Sequence, residues 1–254
     1  MSLFFNPSLN IETKNFIFSA EESKHICKVL RKVPETHLYL KDVLRKVPGD
    51  KVIVTNGKGL EWLGELIQVG QRYTQIKKIK ANVRKGIPYE LEIAIAPTKS
   101  NDRIEWFIEK ATEIGVKKIH FIKSENSERR RINLTRFQKI AISAMKQSKQ
   151  FYLPEIEDII SYKKFLKKNT IEKKYIAYCD DSSKKHITDI YIDFKPLIIL
   201  IGPEGDFNKN EISIALSKGY QPISLGDQRF RTETAALYAT LTVSTLFYIQ
   251  KNKL

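Results

Sequence analysis

Cysteine is scarce in this chain. Cys27 and Cys179 are the only two, far apart, with no CxxC spacing and no Cys/His cluster around either. A disulfide framework or a structural zinc site is therefore not expected, and a reducing cytoplasm fits. The four histidines, His25, His37, His120 and His186, are scattered, and no HExxH spacing brings two of them together, so no metal site is expected. A P-loop and a GxSxG elbow are missing. So is the dinucleotide fingerprint, because "GKGLEWLG" sits in a hairpin rather than at a strand-to-helix turn. A conventional Rossmann-type site is thus not supported. Long apolar runs are lacking as well. None approaches the ~20 residues that span a bilayer, and the nearest, around 235–249, is interrupted by Thr, Ser and Tyr. "MSLFFNPSLNIETK" has no basic leader before an apolar core, so no signal peptide is expected.

Negative charge is also in short supply. Lys and Arg number 44 against 29 Asp and Glu, a net charge of +15. Such a surplus favours a polyanionic partner, because each phosphate neutralised releases condensed counterions. A Lys-rich, solubilising surface would have the same composition. Otherwise, 42% hydrophobic and 29% charged residues are the proportions of a globular protein, and 254 residues suffice for one large domain or two modest ones.

Hydrophobic periodicity favours two domains, 1–86 and 87–254. In the first, "SAEESKHICKVLRK" opens with Ser19 and Glu22 at capping-box spacing and places Ile26, Val29 and Leu30 on one helical face. "DKVIVTNGKGLEWLGELIQVG" reads as two strands around an Asn56-Gly57-Lys58-Gly59 hairpin, and "YTQIKKIKANV" as a third, alternating strand. Small β-rich modules of this kind often bind RNA. "VLRKVP" occurs twice, at 29–34 and 43–48. The repeat reads either as a duplication that lengthened a helix or loop, or as a second RNA-contacting arginine, Arg45 beside Arg31. After "RKGIPYE" the pattern becomes near-continuous apolar strands alternating with helices, which indicates a parallel α/β sheet covered on both faces.

Two junctions stand out, both at the C-terminal ends of strands, where open α/β sheets hold ligands. In "LIILIGPEGDFNKNEISIAL" a buried strand leaves through Gly202-Pro203-Glu204-Gly205. Asn208 and Glu211 cap the helix that follows, which leaves Glu204 without a capping duty. In "SLGDQRFRTETAALYA" a strand ends at Leu225-Gly226, Arg229 and Arg231 flank Phe230, and Thr232-Glu233-Thr234 starts an apolar helix. Its free N–H groups and hydroxyls suit an anion, although plain helix capping would use the same residues.

"LIGPEGDF" followed by "SLGDQRFRTETAA" resembles the RsmE family of 16S ribosomal RNA uridine-N3 methyltransferases, in the SPOUT superfamily. "KHICKVLR" with "PGDKVIVTNGKG" is similar to that family's N-terminal module. "APTKSNDRIEWFIEKATEIGVKKIHFIKSENSERR" and "RFQKIAISAMKQS" match its central segments in order. The resemblance covers nearly the whole chain. It departs at the repeated "VLRKVP", which adds about fourteen residues, and at "KQFYLPEI", which lacks a basic residue common in the family.

The resemblance implies a SPOUT α/β-knot domain, with a mostly parallel sheet and a C-terminal trefoil knot, preceded by a β-rich PUA-like RNA-binding domain. It further implies S-adenosylmethionine as methyl donor, no metal, a homodimer through the knotted domains, and 16S rRNA in the 30S subunit as substrate. Carried over residue by residue, the donor pocket comprises Leu200, Ile201, Gly202, Pro203, Glu204, Gly205, Leu225, Gly226, Arg231, Thr232, Glu233 and Thr234. Uracil N3 is protonated at neutral pH, so the site needs a proton acceptor or cationic donors that stabilise the anion. Arg231 is the candidate for the latter, being cationic at any working pH. Glu233 either accepts the proton, orients Arg231, or is a carboxylate favoured by the helix dipole. Glu204 either faces the sulfonium or orders its loop. N3 lies on the Watson–Crick edge, so the uridine must be unpaired or flipped. His25, Arg31, Arg45, Arg129, Arg130 and Arg131 are the candidate RNA contacts, each with solvated surface charge as its alternative. Two competing readings are another SPOUT RNA methyltransferase and a non-catalytic RNA-binding assembly factor.

Overall fold

The computed structural model describes residues 2–27, 46–180, 183–193 and 195–251. Arg31, Arg45 and most of the repeated "VLRKVP" stretch lie outside the described residues. The chain divides into two compact units, one of residues 1–86 with 149–152 and one of 87–148 with 153–254. The return of 149–152 to the first unit is a correction to the sequence reading, which kept everything beyond 86 together.

The first unit holds β1 (Leu3–Phe5), β2 (Asn15–Ile17), α1 (Ala20–Cys27), β3 (Lys51–Thr55), β4 (Leu60–Gln68) and β5 (Gln75–Val83). Ser19 Oγ accepts from the Glu22 N–H at 3.2 Å and starts α1. Asn56 Oδ1 accepts from the Lys58 and Leu60 N–H groups at 2.8 and 3.3 Å, which closes the β3–β4 hairpin. The sheet order is β1-β3-β4-β5-β2, antiparallel except for the β1–β3 pair. Alternate residues Val52, Val54, Leu60 and Trp62 point into one core, where the Trp62 indole donates to the Thr13 carbonyl at 3.0 Å. The segment 149–152 joins this unit through the Gly59 N–H, which donates to the Phe151 carbonyl at 2.8 Å.

The second unit alternates strand and helix. Its elements are β6 (Leu91–Ile95), α2 (Asn101–Ile114), β7 (Lys118–Lys123), α3 (Leu134–Ser148), β8 (Glu155–Ile156), β9 (Ile160–Ser161), α4 (Tyr162–Lys168), β10 (Lys173–Ala177) and β11 (Lys185–His186). A single 3-10 turn (Ile187–Asp189), β12 (Leu197–Ile201), α5 (Lys209–Ser217), β13 (Gln221–Ser224) and α6 (Thr232–Lys251) complete it. The sheet runs β11-β13-β10-β12-β6-β7-β8, with β9 on the far end of β7, and its ladders are parallel.

Parallel pairing explains the composition of β12. All five of its residues are buried, because helices cover both faces. Leu197, Ile199 and Ile201 pack in one core with residues of α2, α3 and α6, including Phe107, Phe137 and Val243. Ile198 and Leu200 pack in the other with Phe165, Phe207 and Ala215. Each such side chain contributes about 1.5–3 kcal/mol on burial. β12 is inserted between β10 and β6, strands laid down earlier, so the order of the sheet reverses there. Ligands of open α/β sheets bind at such a reversal.

The strand expected to end at Leu225-Gly226 stops at Ser224 instead. Ser224 Oγ accepts from the Gly226 N–H at 3.1 Å, and Gly226 adopts φ +130°, a turn that needs glycine.

Candidate functional site

Loops after β10, β12 and β13 meet at the C-terminal edge of the sheet and enclose a cavity of about 840 Å³. Residues 178–180 and 183–184 form one wall, 201–204 with Asp206 a second, and 224–232 with Ala235 a third.

The loop after β12 is held from three directions. Gly202 is packed so closely that a Cβ would sit 3.1–3.2 Å from Asp206 Oδ1 and the Phe207 ring and N–H. Asp206 adopts φ +61°, and its Oδ2 accepts from the Cys179 N–H at 2.7 Å, which ties this loop to the one after β10. Asn126 donates to the Gly205 and Asp206 carbonyls at 3.2 and 3.0 Å. Asn208 and Glu211 form a full capping box on α5. Glu211 also accepts from the Glu125 N–H at 2.9 Å. Glu204, free of that duty, accepts from the Lys99 N–H at 3.1 Å and so orders its loop against the β6–α2 connection, while still lining the cavity.

The third wall is the start of α6. Thr232, buried, donates through Oγ1 to the Gly202 carbonyl at 3.0 Å and fixes the helix start over the loop. Arg231 is exposed and has no ion-pair partner among the described residues. Arg231, Thr232 and Ala235 face the cavity, whereas Glu233 does not. Its carboxylate is buried, with Oε1 3.7 Å from Arg103 Nε on α2 and Oε2 without a hydrogen-bond partner among the described residues. The ionic partner of Glu233 is therefore Arg103 and not Arg231.

Of the residues expected at the pocket, Ile201, Gly202, Pro203, Glu204, Leu225, Gly226, Arg231 and Thr232 line the cavity. Leu200 lies in the core beneath the sheet, because alternate residues of a strand face opposite ways. Gly205 and Thr234 are exposed and do not line it either. The sequence reading missed the loop after β10. Tyr178, Cys179, Asp180 and Lys184 all line the cavity, with Lys184 paired to Asp180 and its Nζ 4.5 Å over the Tyr178 ring. Asp206 was missed too, although a carboxylate straight after Gly-Pro-Glu-Gly is a visible signal.

The candidate RNA contacts separate by environment. Arg129 is half-buried and donates to the Thr98 and Lys99 carbonyls and to Asn101 Oδ1, so it braces the β6–α2 connection. Arg130, Arg131 and His25 are exposed. Arg136 makes a two-pronged contact with Glu105 at 2.5 and 2.8 Å.

A cavity of this size at the strand-order reversal, with carboxylates on one side and an arginine with a helix start on the other, suits a ligand carrying both charges and an apolar body. Residues 85–244 match the family model described as "RNA methyltransferase domain" and residues 38–79 the one described as "RNA methyltransferase PUA domain". The site and fold thus define an RNA methyltransferase.

Among curated proteins, "Ribosomal RNA small subunit methyltransferase E" of Rickettsia conorii (strain ATCC VR-613 / Malish 7) is 31% identical over 216 residues, 82% of this chain and 86% of that protein. Among solved structures, a probable rRNA-methyltransferase from Porphyromonas gingivalis superposes with a TM-score of 0.86 at 35% identity, over 98% of this chain and all of the other. A ribosomal RNA small subunit methyltransferase E from Neisseria gonorrhoeae, bound to S-adenosyl methionine, does so at 0.83 and 26% identity, over 97% and 98%. The chain belongs to the ribosomal RNA small subunit methyltransferase E family, and its α/β domain has the SPOUT α/β-knot fold.

Proposed function

We propose that this protein methylates N3 of a specific uracil in 16S ribosomal RNA, with S-adenosylmethionine as the donor. The observation that carries the reading is the cavity walled by the Gly202–Asp206 loop and the start of α6. Its residues fit the donor. Glu204 and Asp180 offer carboxylates to the cationic groups, the α6 start suits a carboxylate, and Ile201, Leu225 and Ala177 pack an apolar face. When bound, the donor supplies an electrophilic methyl carbon that the N3 electron pair takes, while the C–S pair stays on sulfur.

The chain's own work is to free the N3 pair. Glu233, buried against Arg103 and outside the cavity lining, anchors the start of α6, and the N3 proton is released to solvent. Arg231, exposed beside the cavity and with no ion-pair partner among the described residues, stabilises the anionic uracil. Glu204 orders its loop.

The first unit grips RNA, with Lys77, Lys80 and His25 exposed on it. Arg130 and Arg131, exposed on the second unit, add phosphate contacts. Arg31 and Arg45 belong to the same proposal, as does the 30S subunit in the cytoplasm as the setting. A homodimer through the α/β domain is supported by apolar side chains left exposed on α2 and α6, namely Trp106, Leu241, Tyr248 and Ile249. Arg231→Ala is the test of the anion role. Methyl transfer should fall by roughly 10²-fold with donor affinity, measured by calorimetry, within a few-fold of wild type. Loss of donor binding with no separate effect on transfer would make Arg231 a donor ligand only.

A further inference from the structure

Phe230 stands between two arginines on the loop that carries the chain from β13 to α6. Arg229 and Arg231 are exposed, with no ion-pair partner among the described residues, while Phe230 is half-buried. All three line the cavity. A phenylalanine is usually held by a core, as Phe107, Phe121, Phe137 and Phe247 are. Phe230 is not: among the described residues it packs in none of the three apolar clusters. Its ring meets Tyr238 on the second turn of α6, with centroids 5.3 Å apart and planes tilted by 33°. Tyr238 in turn packs against the core beneath α6, and the Thr232 bond to Gly202 pins the start of that helix. The Phe230 ring is thus braced from α6 while it lines the cavity.

A braced aromatic ring at a cavity wall is a stacking surface, since every base has a π-face. Two planar rings take part in the proposed reaction, the target uracil and the adenine of the methyl donor. Charge separates them. The donor carries two cationic centres, its sulfonium and its ammonium, and the carboxylates of Glu204 and Asp206 lie on another wall, the loop after β12. Arg229 and Arg231 repel such centres, and Asp227 in the same loop offsets only one of the two charges. A flipped nucleotide has the complementary pattern: a ring that becomes anionic at N3, attached to a phosphate. Arg231 meets the first, and Arg229, on the other side of Phe230 in the chain, is left for the second.

We propose that Phe230, braced by Tyr238, is the platform on which the flipped uracil stacks, with Arg229 holding its phosphate. The proposal rests on the reading of the protein as a uracil-N3 methyltransferase and names the residue that orients the base. Stacking fixes the plane of the ring. The N3 electron pair that takes the methyl group lies in that plane, so the platform aims the attack.

The test compares Phe230→Ala, Phe230→Leu, Phe230→Tyr and Arg229→Gln with wild type in the full-length protein. Methylation of undermethylated 30S subunits at saturating donor gives kcat/KM for the RNA, and calorimetry gives the affinity for S-adenosylmethionine. Phe230→Ala should lower kcat/KM roughly tenfold or more, the effect of removing a base–aromatic stack, with donor affinity within a few-fold of wild type. Phe230→Tyr keeps the ring and should restore most of the loss, whereas Phe230→Leu, apolar and of similar bulk but without a ring, should fall between. Arg229→Gln should lose several-fold at low salt, and the loss should shrink as salt rises, as for a phosphate contact. Weakened donor binding in Phe230→Ala with kcat/KM for 30S unchanged would give the ring to the adenine and overturn the proposal. An Ala variant equal to wild type in both measurements would overturn it too. Leu and Tyr variants of equal activity would assign Phe230 bulk rather than stacking, and an Arg229→Gln loss independent of salt would remove the phosphate contact. Absence of N3-methyluridine from the wild-type reaction would instead overturn the reading of the reaction, and the platform with it. Melting curves show whether the Ala variant is folded, and the comparison of Leu with Tyr decides should it not be.

Discussion

At the scale of single residues, the cavity depends on a few bonds between loops. The Thr232 hydroxyl satisfies the buried Gly202 carbonyl, so Thr232→Val should leave that carbonyl unpaired and cost about 1–3 kcal/mol. Donor affinity should weaken together with the melting temperature, since one bond serves both. Asp206 is different, because its carboxylate accepts from the Cys179 N–H while its backbone sits at φ +61°. Asp206→Ala loses a charge-assisted bond worth about 1.5–3 kcal/mol and keeps an unfavourable backbone angle. Calorimetry with the donor should show at least a tenfold loss, and an unchanged affinity would mean that the two loops hold without the bridge. Much of this was legible. Gly202, Glu204 and Thr232 announce themselves as polar or glycine positions at a strand end. The pairing of Arg103 with Glu233 was not, because 130 positions separate the two and no periodicity within α2 or α6 points one at the other.

Elements show where sequence patterns carry information and where they fail. β12 was readable because five consecutive apolar residues suit only a strand buried on both faces, and α5 because Asn208 and Glu211 stand three apart at its start. α4, β8, β9 and β11 were not. α4 is seven residues with four lysines, too short for a helical stripe, and it is held by Tyr162, Phe165 and Leu166 packing beneath the sheet. β8, β9 and β11 have two residues each and exist only because a neighbouring strand offers a free edge. Stability should follow the same division. Ile199→Ala at the centre of β12 should cost about 2–5 kcal/mol in denaturant unfolding, as for other fully buried aliphatic residues. Lys163→Ala on the exposed side of α4 should change stability by no more than about 0.5 kcal/mol.

Over the whole molecule, charge sets how stability and binding respond to conditions. Burial raises the proton affinity of Glu157, but bonds from Lys118 at 2.7 Å and His120 at 3.0 Å outweigh it and hold the carboxyl below its ordinary value of 4.5. A depressed carboxyl contributes stability that is present above pH 4.5 and fades as acid takes the pH down through the folded-state value. Glu157→Gln should therefore lower the melting temperature at neutral pH, with the difference from wild type closing as the pH falls below 4.5. A gap that persists undiminished in acid would assign Glu157 a packing role instead. The net charge of +15 was the earliest sign of a polyanionic partner, but it names no particular RNA. What narrows it is the family, together with a cavity placed where the strand order reverses.

The central claim, transfer of a methyl group to uracil N3, is tested most directly by product analysis. Undermethylated 30S subunits are incubated with this protein and radiolabelled S-adenosylmethionine, and the RNA is digested to nucleosides. The account predicts label in N3-methyluridine, at a single position of the 16S rRNA. Label in any other nucleoside would contradict the assigned target, and tight RNA binding with no transfer would contradict the chemistry itself.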